Sequence, residues 1–278
     1  MAALFYAIAL CLLSHSFGKS LDVNSPPKWS NVYTVSGVLT LPYAEIVEPF
    51  QVWFDGQNGR SRIDYYAGLD KTFQRADVKP YGASYRICPE TTETQLNVMS
   101  CFEVNGTKDA PVAIQTVLPD LTNFEFAGFD QDCREGNCSV WTYVMTEQHK
   151  VNTYTMYASV TETPDPVHYE MLGYDTLLGS HYDKYEIDYA DYSPQMPPPD
   201  IFDIKEMTCK GFPGPGVMSS LLTNPMQEFL EPHGQEKVHE LFEHFLIKHP
   251  KQYANMVDKK EHNQRRDIFR QNLRYEVF

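Results

Sequence analysis

Positive charge is scarce in this chain. Lysine and arginine number 23 against 37 aspartates and glutamates, for a net charge of −14 and a pI near 5.0. That balance argues against nucleic acid or an anionic membrane as partner, because both present dense negative charge. Long apolar runs are scarce as well. The stretch from Ala2 to Leu13 is apolar but too short to span a bilayer comfortably. Polar residues follow it, with small Ser16 and Gly18 near a plausible cut, so residues 1–18 read as a signal peptide. The mature chain is then expected to have no membrane span. No long alternation of strand and helix signals occurs, which argues against a parallel sheet. Cysteine is sparse: six in all, of which Cys11 falls in the signal. The remaining Cys88, Cys101, Cys133, Cys138 and Cys209 are odd in number, so at most two bridges form within the chain. Cys133 and Cys138 flank the short loop "REGN" and favour a local disulfide, while the pairing of Cys88, Cys101 and Cys209 stays open. Two sequons, at Asn105 and Asn137, are candidates for N-glycosylation. These features place the chain in the secretory pathway, extracellular or lysosomal.

Credible catalytic pairs are also missing. "HELFEH" resembles a zinc-protease helix, but His239 and His244 are five positions apart. That spacing splays them by about 140° around a helix, too far for one metal. "GNCSVW" resembles the surroundings of a thiol nucleophile, yet Ser139 and Val140 follow Cys138 where an aromatic is wanted. "GFPGPG" offers too few backbone donors to hold a phosphate, since two positions are proline. The acidic tyrosine run near Tyr185 has the charge alternation of a solvated strand face rather than a calcium loop. No catalytic, cofactor-binding or metal-binding residue is assigned, and the chain is not expected to be an enzyme.

What is present is aromatic and alternating. There are 18 Tyr and 16 Phe, enough to argue for an ordered core. "YTVSGVLTL" from Tyr33 alternates and is rich in β-branched residues. "FQVWFDGQNGRSRIDYY" predicts a hairpin turning through Asp55 to Gly59, and "SVWTYVMTEQHKVNTYTMYASV" a second turning near Gln148. "YDKYEIDYADY" sets Tyr185, Ile187 and Tyr189 against Lys184, Glu186 and Asp188, a strand with one wet face. Residues 19–210 therefore read as an antiparallel, curved sheet or open barrel. Prolines and glycines over residues 211–234 predict a linker. Beyond it, Val238, Leu241, Phe242 and Phe245 recur at helical spacing, Pro250 stops that helix, and a second helix follows. The expected class is α+β, with a small helical hairpin over residues 235–278 as a separate module.

The last helix carries a stripe. Glu261, Arg265, Phe269 and Asn272 fall within roughly 80° of one face. As physics alone, Glu261 and Arg265 form an i,i+4 ion pair, Phe269 is a buried anchor, and Asn272 can cap or bond toward a partner. The same spacing resembles the ERFNIN pattern of cathepsin-L-like propeptides, with "LFEHFLIKHPKQY" similar to the helix before it. "WSNVYTVSGVLTLPYAEIVEPFQVWFDG", "YEMLGYDTLLGSHYDKYEIDY" and "CKGFPGPG" resemble the N-terminal region of insect 26/29 kDa-type cathepsin-L-like cysteine proteinases. That resemblance implies a non-catalytic N-terminal region plus partial propeptide of a papain-family zymogen, truncated before its catalytic domain. It implies docking on a papain-like cysteine protease domain, in cis in a longer form or in trans. The alternative is an extracellular, ependymin-like β-module that binds an apolar molecule in its aromatic interior.

Overall fold

The computed structural model describes residues 25–134, 136–204, 207–212, 225–230, 235–249 and 259–277. The expected signal peptide and most of the expected linker lie outside the described residues. The alternating segments become strands β1 (Val32–Leu41), β2 (Ile46–Asp55), β3 (Arg60–Tyr65), β4 (Asp70–Arg75), β5 (Ala83–Glu90) and β6 (Val98–Asn105). They continue as β7 (Glu125–Asp130), β8 (Cys138–Glu147), β9 (Lys150–Ser159), β10 (Pro166–Asp175), β11 (Ser180–Ser193) and β12 (Cys209–Gly211). All twelve belong to one sheet, in the order β12-β6-β5-β4-β3-β2-β1-β11-β10-β9-β8-β7. Two meanders, β1 to β6 and β7 to β11, are thus sewn together where β1 pairs with β11.

Period two decides which side chains face inward. Tyr33, Val35, Leu39 and Leu41 of β1 are buried, as are Tyr185, Ile187 and Tyr189 of β11. Their outward neighbours are polar: His168 Nδ1 meets Asp188 at 2.9 Å, and Lys184 pairs with Glu186. Gly37 breaks the inward series of β1 for a steric reason. A Cβ there would sit 2.5 Å from the Asp188 carbonyl and 2.5 Å from the Phe50 ring. Gly37→Ala is expected to destabilise the chain by about 1–3 kcal/mol, read as a lowered urea midpoint with an unchanged m-value.

The outer face of β3 to β5 is covered by the chain after β11. Arg62 and Arg75 donate to the carbonyls of Ile201 and Phe202 at 2.8 Å each, and Arg60 stacks over the buried Phe202 ring at 4.7 Å. The chain then reaches the sheet edge, where β12 pairs with β6 in parallel and a disulfide joins Cys101 to Cys209.

Three helices close the described chain: α1 (Gln227–Leu230), α2 (Gln235–Lys248) and α3 (Lys259–Val277). The expected class, a purely antiparallel module followed by a separate helical-hairpin propeptide module, is corrected here. The molecule is mostly one mixed sheet, with α1 and α3 built onto that sheet and α2 packed on α3. Met226, Phe229 and Leu230 belong to the same core cluster as the inner faces of β1, β2, β10 and β11. Tyr185 Oη donates to the Phe229 carbonyl at 2.9 Å. Arg270 of α3 pairs with Asp183 of β11 at 3.0 Å, and Lys150 of β9 pairs with Asp267. The amphipathic pattern of α2 and α3 is real, but it reports burial without naming the surface that receives it.

Candidate functional site

The inner face carries one continuous row across seven strands. Strand register sets Phe126, Trp141, Met156, Tyr169, Ile187, Leu39 and Glu48 side by side, from β7 through β11 and β1 to β2. Six inter-strand steps of about 4.8 Å make this row roughly 29 Å long across the sheet. All but its last member are apolar or aromatic. Tyr143, Tyr154, Met171 and Tyr185 line up beside it on β8 to β11. The Tyr154 and Tyr169 rings stack with centroids 6.5 Å apart. Burial drives the Tyr33, Tyr169 and Tyr189 phenols well above their ordinary range, so these hydroxyls stay protonated, and the Tyr189 hydroxyl serves as a hydrogen-bond donor.

A strap closes this face. Residues 106–124 join β6 to β7 without forming a strand or helix, and their second half delivers Val117, Leu118, Leu121 and Phe124 to the core. Sheet side chains hold the strap by its backbone. Tyr189 Oη donates to the Val117 carbonyl at 2.8 Å, and Tyr33 Oη accepts from the Val117 amide at 3.1 Å. Ser61 Oγ accepts from the Gln115 amide at 2.9 Å, and Trp29 Nε1 donates to the Pro119 carbonyl at 2.9 Å.

One end of the sheet is unusually apolar. Because successive strands reverse, the turns at 42–45, 66–69, 91–97, 148–149 and 176–179 share that end. Tyr43, Val47, Tyr66, Leu69, Leu96 and Leu178 stand exposed there, the last two at 76% and 70%. Two buried carboxylates lie just inside this rim. Asp183, 1% exposed, is met by Arg270. Glu48, also 1% exposed, accepts a hydrogen bond from Tyr66 Oη on one oxygen, while its Oε2 has no partner among the described residues. Burial raises the Glu48 carboxyl above the usual carboxylate range, opposed by the Tyr66 bond and reinforced by the charge of Asp70. Arg86, the nearby guanidinium, is committed to Asp70 at 3.0 Å. Burial, and then the Glu48 carboxylate, push the Tyr66 phenol up to about 12. Tyr66 and Ala67 both adopt left-handed backbone angles, φ 49 and 55, which folds the turn back toward Glu48.

The residues singled out in the sequence lie elsewhere. Phe269 is half-buried, its ring centroid 5.5 Å from Phe242 and 5.2 Å from Phe245. Glu261 and Arg265 form an exposed ion pair at 3.5 Å, and Asn272 is exposed. A disulfide joins Cys133 to Cys138 at the start of β8, and Asn105 and Asn137 are both exposed. Cys88 is the free thiol among the described residues; burial pushes its pKa up, the reverse of an activated nucleophile. No group of three metal-ligating side chains occurs among the described residues. Glu48 was missed by the sequence reading, although a signal existed: Glu48, Phe50, Val52 and Phe54 share one face of β2 by period two.

No family model matches the chain, and none of the curated proteins matches it. Among solved structures it is similar to an uncharacterized conserved protein from Thermus thermophilus, at 12% identity and a TM-score of 0.38. That match covers 66% of this chain and 91% of the other. It is also similar to a DUF1329 family protein from Desulfovibrio piger, at 12% identity and a TM-score of 0.28, over 66% of this chain and 92% of the other. At these scores the likeness carries no inference about function. The resemblance to a cathepsin-L-like zymogen propeptide is corrected: no family model matches the chain, and the chain is mostly one large sheet. The stripe from Glu261 to Asn272 needs no propeptide to account for it. It is a helix with an exposed i,i+4 pair and one aromatic packed on its neighbour.

Proposed function

We propose that this chain is a non-catalytic binding module that takes up an apolar ligand between the inner face of its sheet and the strap. The observation that carries the reading is the pairing of a buried aromatic row with an apolar rim at one end of the sheet. Apolar sites need a concave, largely hydrophobic lining with few polar groups to orient the ligand. The inner face supplies an apolar and aromatic surface, and its phenols supply donors. The strap is irregular and held through side-chain bonds to a few of its backbone groups, so parting it from the sheet breaks few hydrogen bonds. The rim offers apolar surface where a ligand would enter. Two disulfides and two exposed sequons support work in an oxidising, secretory setting. Among the described residues no helix is long and apolar enough to cross a membrane.

The test is uptake of a solvatochromic apolar dye by the full chain. Saturable one-to-one binding, competed by dodecanol, is the expected result. Replacing the exposed Leu177 and Leu178 with glutamate should slow association by about tenfold without lowering thermal stability, because it makes the entrance polar. Absence of saturable uptake by the folded chain would overturn the reading.

A further inference from the structure

The inner row ends on a carboxylate, and the two buried carboxylates of the rim are treated differently. At Asp183 the fold brings in a cation: the Arg270 guanidinium of α3, itself 5% exposed, lies 3.0 Å away. At Glu48 no ion pair forms among the described residues, since the nearby Arg86 guanidinium is bonded to Asp70. One oxygen is met by the Tyr66 hydroxyl; the other, Oε2, is buried and unpartnered. The groups facing it are Tyr66 from the β3–β4 turn, Tyr65 at the end of β3, Asp70 of β4 and Arg86 of β5, and the last two neutralise each other. Leu39, its partner on β1, is apolar. A buried carboxylate in such a place is unstable as an anion unless a cation or a proton joins it.

We propose that Glu48 is the head-group subsite of the apolar site, and that it selects single-chain amphiphiles bearing a protonated amine. The inference rests on the apolar-binding reading above and adds the chemistry of the ligand's polar end. The hydrocarbon lies along the row from Leu39 toward Trp141, and the ammonium meets Glu48 Oε2 as Arg270 meets Asp183. A fatty carboxylate is disfavoured at this end, since it brings Glu48 no positive charge and would itself be a buried anion without a cation. Without ligand, the site is neutral when Glu48 holds a proton. The amine cation replaces that proton, which leaves to solvent, so binding exchanges one cation for another and strengthens as pH rises through the Glu48 titration.

Displacement of the apolar dye from the full chain by dodecylamine and by dodecanol, both below their micellar concentrations, separates the claims. Dodecylamine is expected to bind about ten- to a hundredfold more tightly than dodecanol at neutral pH, the range for a charge-assisted hydrogen bond. Glu48→Gln should abolish that preference while dodecanol still binds. Calorimetry in two buffers of different ionisation enthalpy, at a pH where Glu48 is still protonated, should show proton release for the amine and none for the alcohol. Tyr66→Phe removes the internal donor from an exposed rim residue and should strengthen amine binding, which keeps the test open should Glu48→Gln fail to fold. Equal affinity for amine and alcohol in the native chain overturns the head-group assignment and leaves the apolar reading standing. Failure of both ligands to displace the dye, or of the dye to bind, overturns the apolar reading itself.

Discussion

Replacing Arg270 with alanine should lower the free energy of unfolding by about 3–5 kcal/mol, because it takes the guanidinium away from the buried Asp183 carboxylate. The pair is well shielded: Arg270 is 5% exposed and Asp183 1%, with 3.0 Å between Nη2 and Oδ2. Glu228 of α1 adds a second carboxylate 3.9 Å from Nε. One guanidinium therefore ties α1, α3 and β11 together, and its loss should also loosen the packing of the helices on the sheet. Urea titration followed by circular dichroism measures the first effect, and limited proteolysis after α1 the second. The double variant Arg270→Met with Asp183→Leu should recover much of the loss, since it removes both charges together. A loss under about 1 kcal/mol for Arg270→Ala would mean that water solvates the pair in solution as it does a surface bridge.

Removing the disulfide between Cys101 and Cys209 should cost about 4–5 kcal/mol in the chain-entropy model, because the bond closes a separation of 108 residues. The double variant Cys101→Ser with Cys209→Ser avoids adding a second free thiol beside Cys88. It should also release β12, a strand of three residues, from the edge of β6 and expose that edge to association with other chains. The Cys133–Cys138 bond closes a separation of 5, for which the same model expects about 2 kcal/mol. Thermal unfolding of both double variants checks the order. A larger loss from the short loop than from the long one would contradict it.

Glu48 sets a further, smaller dependence on pH. Its folded-state pKa is raised, so the folded chain holds this proton more tightly than the unfolded chain does. Stability from this group is therefore full below the ordinary carboxylate pKa and declines as pH rises toward the folded value. The Glu48→Gln variant should lack that decline.

Much of the sheet was legible in the chain because a strand with one wet face repeats every two residues. Tyr185, Ile187 and Tyr189 face inward against Lys184, Glu186 and Asp188, as their alternation predicts. The hairpin through Asp55 to Gly59 is legible for a local reason as well, since Asp55 Oδ1 accepts from the Asn58 amide at 3.0 Å within the turn. The helical spacing that brings Phe242, Phe245 and Phe269 together is likewise local to two helices. Local repetition also misled: an acid, a base and an aromatic at helical spacing resemble a motif, yet an ordinary amphipathic helix requires the same residues.

What the sequence by itself determined, then, is period, polarity and turn chemistry, which act between residues a few positions apart. The tertiary structure alone decided that β1 pairs with β11 across some 150 residues, since any of several inward-facing strands could satisfy the same alternation. It alone brought Cys209 to Cys101 and Arg270 to Asp183, and left one oxygen of Glu48 without a partner among the described residues. Those pairings depend on which faces meet when two meanders and three helices bury a shared core. A residue's own neighbours in the chain carry no record of that meeting, because burial is a property of the surface that arrives from elsewhere.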